Sequence, residues 1–112
     1  MPTATFLALA EPRRQKIVEL LASEGQLSAS AIQSRFDISA PAVSQHLKAL
    51  REAGLVRVEK RAQQRIYSLQ PEAFRELEDW ILRIKQFWNQ RLDVLESLLE
   101  EEDRNKPRKK TS

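Results

Sequence analysis

Between residues 39 and 69 the chain carries a pattern that few folds accommodate. It reads Ser39-Ala-Pro-Ala-Val-Ser-Gln-His-Leu-Lys-Ala-Leu-Arg-Glu-Ala-Gly54, then Leu-Val-Arg-Val-Glu-Lys-Arg-Ala-Gln-Gln-Arg-Ile-Tyr-Ser-Leu69. Ser39 is a good N-cap, Pro41 is tolerated in a first helical turn, and Gly54 suits the left-handed residue that ends a helix. The segment predicts a helix over about 40–53, then a hairpin with strands at 55–60 and 64–69. The hairpin turn falls on Arg61-Ala62-Gln63, without the Asn-Gly or Asp-Gly pair of a tight turn.

The flanking sequence supplies helices around this unit. A short one is predicted over about residues 5–10, broken by Glu11-Pro12. Pro12 then opens a helix through Glu24, whose Ile17, Val18, Leu20 and Leu21 form one apolar stripe, and Gly25 closes it. Ser28 caps a third helix reaching Phe36, with Ile32 and Phe36 turned inward. Pro71 opens a last helix to about residue 103, with Glu72 and Glu76 near its positive end. Residues 104–112 read as a basic, disordered tail. The fold class is therefore mainly α with a small β-hairpin, in one domain over residues 1–103. There is no internal repeat.

At about 100° per residue, Val43, Leu47 and Leu50 share one face of the 40–53 helix and belong to the core. Pro41, Ala42, Gln45, Lys48, Ala49 and Glu52 lie opposite, with Ser44 and His46 on the flanks, and the residues expected to meet DNA are Ser39, Pro41, Ala42, Ser44, Gln45, His46 and Lys48. Such a face is small where a recognition helix meets base edges. Gln45 suits adenine N6 and N7, Ser44 can donate or accept, and Ala42 fits a thymine methyl. Lys48 and Arg51 lie farther along, where phosphates are the natural partners.

The hairpin tip gathers Lys60, Arg61, Gln63, Gln64 and Arg65 with only Ala62 apolar, which suits a phosphate grip. Net charge follows the same division. It is +4 over residues 39–69, −6 over 70–103 and +5 over 104–112. A basic surface for nucleic acid and an acidic one for something else is the simplest account. A core helix with a merely solvated outer face is the plainer alternative. The adjoining basic hairpin decides for DNA.

These residues resemble the ArsR-type family of bacterial winged-helix repressors. The likeness is carried by residues 9–21, by Ile38-Ser-Ala-Pro-Ala-Val-Ser-Gln-His-Leu-Lys-Ala-Leu-Arg-Glu-Ala-Gly-Leu-Val56, and by Arg65-Ile-Tyr-Ser-Leu69. The resemblance implies a winged helix-turn-helix homodimer that binds a double-stranded operator and blocks transcription, with the first and last helices at the dimer interface. Relatives often carry glycine at the wing turn, where this chain has Ala62-Gln63. Many relatives also sense metals through a Cys-x-Cys pair, which here falls on Ser28 and Ser30. Serine hydroxyls are poor ligands for soft metals, and the chain has no cysteine and a single histidine, His46. No metal and no cofactor is expected, and the inducing signal is unspecified.

Phe74, Leu77, Ile81, Ile84, Trp88, Arg91, Leu95 and Leu98 follow spacings of three and four, with Leu92 and Leu99 beside the seam. A helix of that length outruns a domain this small, so its stripe predicts pairing with a second copy of the chain. The expected dimer surface is Phe6 and Leu7 from the first helix with Leu77, Ile81, Ile84, Trp88, Leu92 and Leu95 from the last. A ligand pocket lined by Trp80 and Trp88 is the less economical use of those aromatics.

No run approaches 18 apolar residues, so no membrane span is expected, and with no basic residues before the short N-terminal apolar run a cytoplasmic location is expected. An enzyme is disfavoured, since there is no cysteine, no glycine-rich phosphate loop and no second histidine, hence no candidate catalytic residue. The rival reading is a winged-helix module that docks protein through the long helix and its tail. Such a module needs neither cations at the wing tip nor small residues on the exposed helix face.

Overall fold

The computed structural model of the chain describes residues 2–105. Its elements run α1 (Thr3–Leu9), α2 (Pro12–Glu24), β1 (Gln26–Ser28), α3 (Ala29–Gln33), α4 (Ala40–Glu52), β2 (Val56–Arg61), β3 (Gln64–Leu69) and α5 (Pro71–Asn105). They fall into two compact units, residues 1–78 and residues 79 onward. This is the mainly helical winged helix-turn-helix architecture expected from the sequence.

Local chemistry sets the helix ends. α2 starts with Pro12 and is capped by Glu11, whose Oε2 accepts the amides of Arg13 at 2.7 Å and Arg14 at 3.1 Å. It stops at Gly25, which has φ 83°. Ser39 Oγ accepts the Ala42 amide at 3.3 Å at the start of α4. The far end of α4 is a Schellman stop: Leu55 N–H returns to Leu50 O, Gly54 N–H returns to Arg51 O, and Gly54 has φ 77°. Leu50 and Leu55 are both fully buried, which supplies the hydrophobic contact that accompanies this motif.

Three boundaries differ from expectation. α1 begins at Thr3 instead of residue 5, because Pro2 O accepts the Phe6 amide and the turn forms earlier. α3 ends at Gln33 instead of reaching Phe36. Arg35 N–H and Phe36 N–H bond to Ile32 O and Gln33 O, three residues back, so the chain tightens out of the α-helix. Phe36 still packs against the core, with the Lys16 ammonium 5.0 Å from its ring centroid. α5 continues to Asn105, so Arg104 and Asn105 are helical and not part of a tail. The rest of the basic tail lies outside the described residues.

The sheet has three strands in the order β1-β3-β2, all antiparallel. β2 and β3 form the expected hairpin, but β2 begins at Val56 and Arg61 pairs with Gln64. The turn is therefore the two residues Ala62-Gln63. Ala62 takes φ 54°, the only positive φ at a non-glycine among the described residues. β1, which the sequence did not suggest, pairs Leu27 with Tyr67 on the other edge of β3.

The core of the first unit is Ala8, Ile17, Leu21, Ile32, Val43, Leu47, Leu50, Leu55, Val56 and Tyr67, with Ala73 and Phe74 of α5 packed against it. Each fully buried aliphatic side chain there stabilises by about 1.5–3 kcal/mol. No residue of the 35-residue α5 is fully buried. No described helix is long and apolar enough to cross a membrane.

Candidate nucleic-acid interface

α4 is fixed by its inner face. Val43, Leu47 and Leu50 are buried, which turns Pro41, Ser44, Gln45, Lys48 and Glu52 outward and leaves Ala42 and Ala49 half-buried. Ser39, at the entry to the helix, is exposed and already committed to the Ala42 amide. Lys48 Nζ stands 3.9 Å from Glu52 Oε1, and both side chains are about two-thirds exposed. An exposed pair of that kind contributes roughly 0–1 kcal/mol and leaves the lysine free to exchange partners.

His46 is placed differently from its neighbours. Its side chain retains 17% exposure and turns toward α2, where Nδ1 accepts from Arg14 Nε at 3.3 Å and lies 3.9 Å from Glu11 Oε2. It is not on the outer face with Gln45. Burial alone would raise the Glu11 carboxyl pKa. The amides of Arg14 and Arg13, with the Arg13 charge beside them, outweigh that and hold it below its usual range.

Lys60, Arg61, Gln63, Gln64 and Arg65 are all exposed on the wing. Arg61 is not free at its tip. Its guanidinium donates to Gln26 Oε1 at 3.1 Å and to Glu59 Oε2 at 3.2 Å, so β1 and β2 together hold it. Arg65 pairs with Lys60, one step back from the wing turn. With Ser44 of α4 and Gln33 of α3 it lines a small cleft whose other walls include Val43 and Tyr67. Arg65 therefore lies beside the recognition helix, and Gln26 and Gln33 are neighbours of the wing cations that sequence reasoning missed. Gln26 belongs to a strand that had not been foreseen, and Gln33 follows an inward-facing isoleucine in a helix read only for its core residues.

Ser28 and Ser30, which the resemblance matches to the Cys-x-Cys pair, bond to their own neighbours. Ser28 Oγ accepts the Ala31 amide at 3.1 Å and lies 3.2 Å from Ser30 Oγ, so it serves as the cap of α3. Among the described residues no cluster of three His, Cys, Asp or Glu side chains could hold a metal ion.

The residues expected at a dimer surface lie in both units. Leu7 on α1 is 69% exposed and Phe6 is half-buried. On α5, Leu77 is half-buried, whereas Ile81, Ile84, Trp88, Leu92 and Leu95 are 41–61% exposed. Phe87, Val94, Leu98 and Leu99 are exposed beside them. At 100° per residue these side chains span an arc of about 160° that omits only Leu82 among the exposed large apolar residues of α5. A shallow concavity on this face is lined by Phe87, Trp88, Leu92 and Leu95 among others, without Trp80.

Similar proteins agree with this geometry. A family model described as a helix-turn-helix domain matches residues 9–59. The transcriptional repressor SdpR of Bacillus subtilis is 34% identical over 77 residues, which cover 69% of this chain and 84% of SdpR. The HTH-type transcriptional regulator Rv2034 of Mycobacterium tuberculosis is 36% identical over 101 residues, covering 90% of this chain and 91% of that protein. An ArsR-like transcriptional regulator from Rhodococcus sp. RHA1 superposes with a TM-score of 0.74 at 27% identity, covering 87% of this chain and 91% of that one. With the capped recognition helix, the adjoining basic wing and these relatives all in agreement, the chain belongs to the ArsR family of winged helix-turn-helix transcriptional regulators.

Proposed function

We propose that this regulator is a homodimeric repressor that reads a palindromic operator with α4 in the major groove and the wing on neighbouring phosphates. The observation that carries the reading is the division of α4. Its apolar side chains are consumed by the core, and the exposed remainder is small or polar beside a basic hairpin. Gln45 is assigned to adenine, Ser44 and Ala42 to adjacent base edges, and Ser39 and Pro41 to the close approach of the helix start. Lys48, Lys60, Arg61, Gln63, Gln64 and Arg65 are assigned to the DNA backbone.

The second copy of the chain is recruited through α1 and α5, using Phe6, Leu7, Leu77, Ile81, Ile84, Trp88, Leu92 and Leu95. Nine large apolar side chains in the α5 arc stand 41–64% exposed, and contiguous apolar exposure of this kind marks an interaction surface, which supports this assignment. Repression is favoured by SdpR, a repressor matched over 84% of its length. The Vibrio cholerae activator HlyU is 42% identical over 62 residues, 55% of this chain and 56% of its own length. Hydroxyls at Ser28 and Ser30 support regulation by a signal other than direct metal ligation. The site of action is the cytoplasm, where the operator DNA lies.

The test is selection of duplexes by the full chain from a random pool, followed by a promoter–reporter assay on the selected site. Two inverted half-sites centred about 10 bp or a multiple apart are expected. Reporter output should fall when the protein is present, and added zinc or arsenite should leave binding unchanged. Failure to enrich any sequence contradicts the proposal.

A further inference from the structure

His46 lies on α4 between the exposed Gln45 and the buried Leu47, and it is the point where the back of the recognition helix meets a polar partner. The partner is itself held. Arg14 gives Nε–H to His46 Nδ1 at 3.3 Å and a second N–H to the carbonyl of Ala8 at 3.4 Å, while its amide is bound by Glu11. A continuous set of contacts thus runs from the end of α1, through the first turn of α2, to the middle of α4.

The fully buried side chains by which α4 packs on the core are Val43, Leu47 and Leu50. Apolar burial is non-directional, so on its own it tolerates small rotations of a helix about its axis. A hydrogen bond does not, because it weakens steeply off its preferred angle. Rotation matters at the DNA end of the same helix. A turn of about 15° moves a side chain about 6 Å from the axis by roughly 1.5 Å, beyond the ~0.5 Å within which a recognition constellation works.

We infer that Arg14 is a positioning residue for DNA readout: through His46 it fixes the rotation of α4, and so sets where Gln45 meets a base edge. The inference rests on the proposed reading of DNA by α4. On this reading His46, expected from the sequence among the DNA contacts, acts instead from behind the helix, where it faces Arg14 and away from Gln45. While the ring is neutral, acceptance at Nδ1 places its proton on Nε2.

The test uses the full chain, a duplex selected by the wild type from a random pool, and a scrambled duplex of the same composition. Arg14→Gln and Arg14→Lys should each bind the selected duplex about ten times more weakly and the scrambled duplex as before, with an unchanged salt slope. His46→Phe should do the same, and adding Arg14→Gln to it should cost nothing more. His46→Asn, which keeps an acceptor near the Nδ1 position, should retain specificity.

Nitrogen NMR of His46 should show the Nε2–H tautomer in the wild type and a mixture in Arg14→Gln. Equal losses on both duplexes, a salt slope lowered by about one phosphate, additive losses in the double variant, or an unchanged tautomer would each overturn the inference. If the wild type enriches no duplex, the proposed function fails while the NMR comparison still decides the Arg14–His46 link.

Discussion

Trp88 offers the sharpest test of the pairing assigned to α5. It is 61% exposed in the single chain, midway along the apolar stripe between Leu77 and Leu99. A tryptophan presents up to ~250 Å², so about 150 Å² remains to be covered. At ~25 cal/mol per Å² that is roughly 4 kcal/mol if a partner covers it fully. Allowing for incomplete cover and the methyl that alanine retains, Trp88→Ala should remove about 2–3 kcal/mol per copy.

A two-fold interface contains the substitution twice, giving about 4–6 kcal/mol and a dimer dissociation constant weakened by a thousandfold or more. Alanine is the best helix former and Trp88 lies outside the core cluster, so helix content should be retained. Sedimentation velocity across a dilution series measures the shift, with circular dichroism as the folding control. The reasoning is refuted if the variant dimerises at the same concentrations as the wild type, or if the wild type is monomeric throughout.

Three local features yield further expectations. The Glu11 carboxyl is held below its ordinary value of 4.5, so its contribution to stability is complete above that pH and lost as pH falls through the lowered folded value. Urea midpoints at neutral and strongly acid pH should therefore differ less in Glu11→Gln than in the wild type. An equal acid loss in both would exclude Glu11 as a contributor. Ala62 bears a positive φ at the wing turn, so Ala62→Gly should stabilise the chain by up to ~1 kcal/mol and Ala62→Val should destabilise it by more, read from chemical denaturation. Removing the α4 cap in Ser39→Ala should cost ~0.5–2 kcal/mol, measured the same way, and an unchanged midpoint would show that the Ser39–Ala42 bond is not made in solution.

The elements legible in the sequence were those whose signals are carried by single residues with strong local preferences. Ser39, Pro41 and Gly54 mark α4 because a cap, a fixed φ and a left-handed stop each admit few residue types, and Gly25 and Ser28 work in the same way for α2 and α3. The α4 core face was readable because Val43, Leu47 and Leu50 repeat at helical spacing. β1 was not readable, since three residues carry no periodicity and its pairing depends on β3, some forty positions away. The end of α3 was missed for a related reason: Phe36 keeps its inward contact although the helix has already tightened at residues 34–36.

At the site, side-chain partnerships across elements were hidden. Nothing in the sequence links Arg61 to Gln26, 35 residues apart, or Arg14 to His46, 32 residues apart. Glu11 was read only as part of a break, because glutamate is not a usual cap and its role depends on reaching two amides at once.

If α4 reads bases while the wing grips phosphates, Gln45→Ala and Arg61→Ala will differ in how they bind selected and scrambled duplexes at several salt concentrations. Gln45→Ala should lose ~1–3 kcal/mol on the selected duplex alone and relax preference at one position, with its salt slope intact. Arg61→Ala should weaken both duplexes alike and reduce the slope by about one phosphate. Equal losses on both duplexes for Gln45→Ala, or wild-type binding indifferent to salt, would mean that α4 does not read bases or that the wing does not grip phosphates.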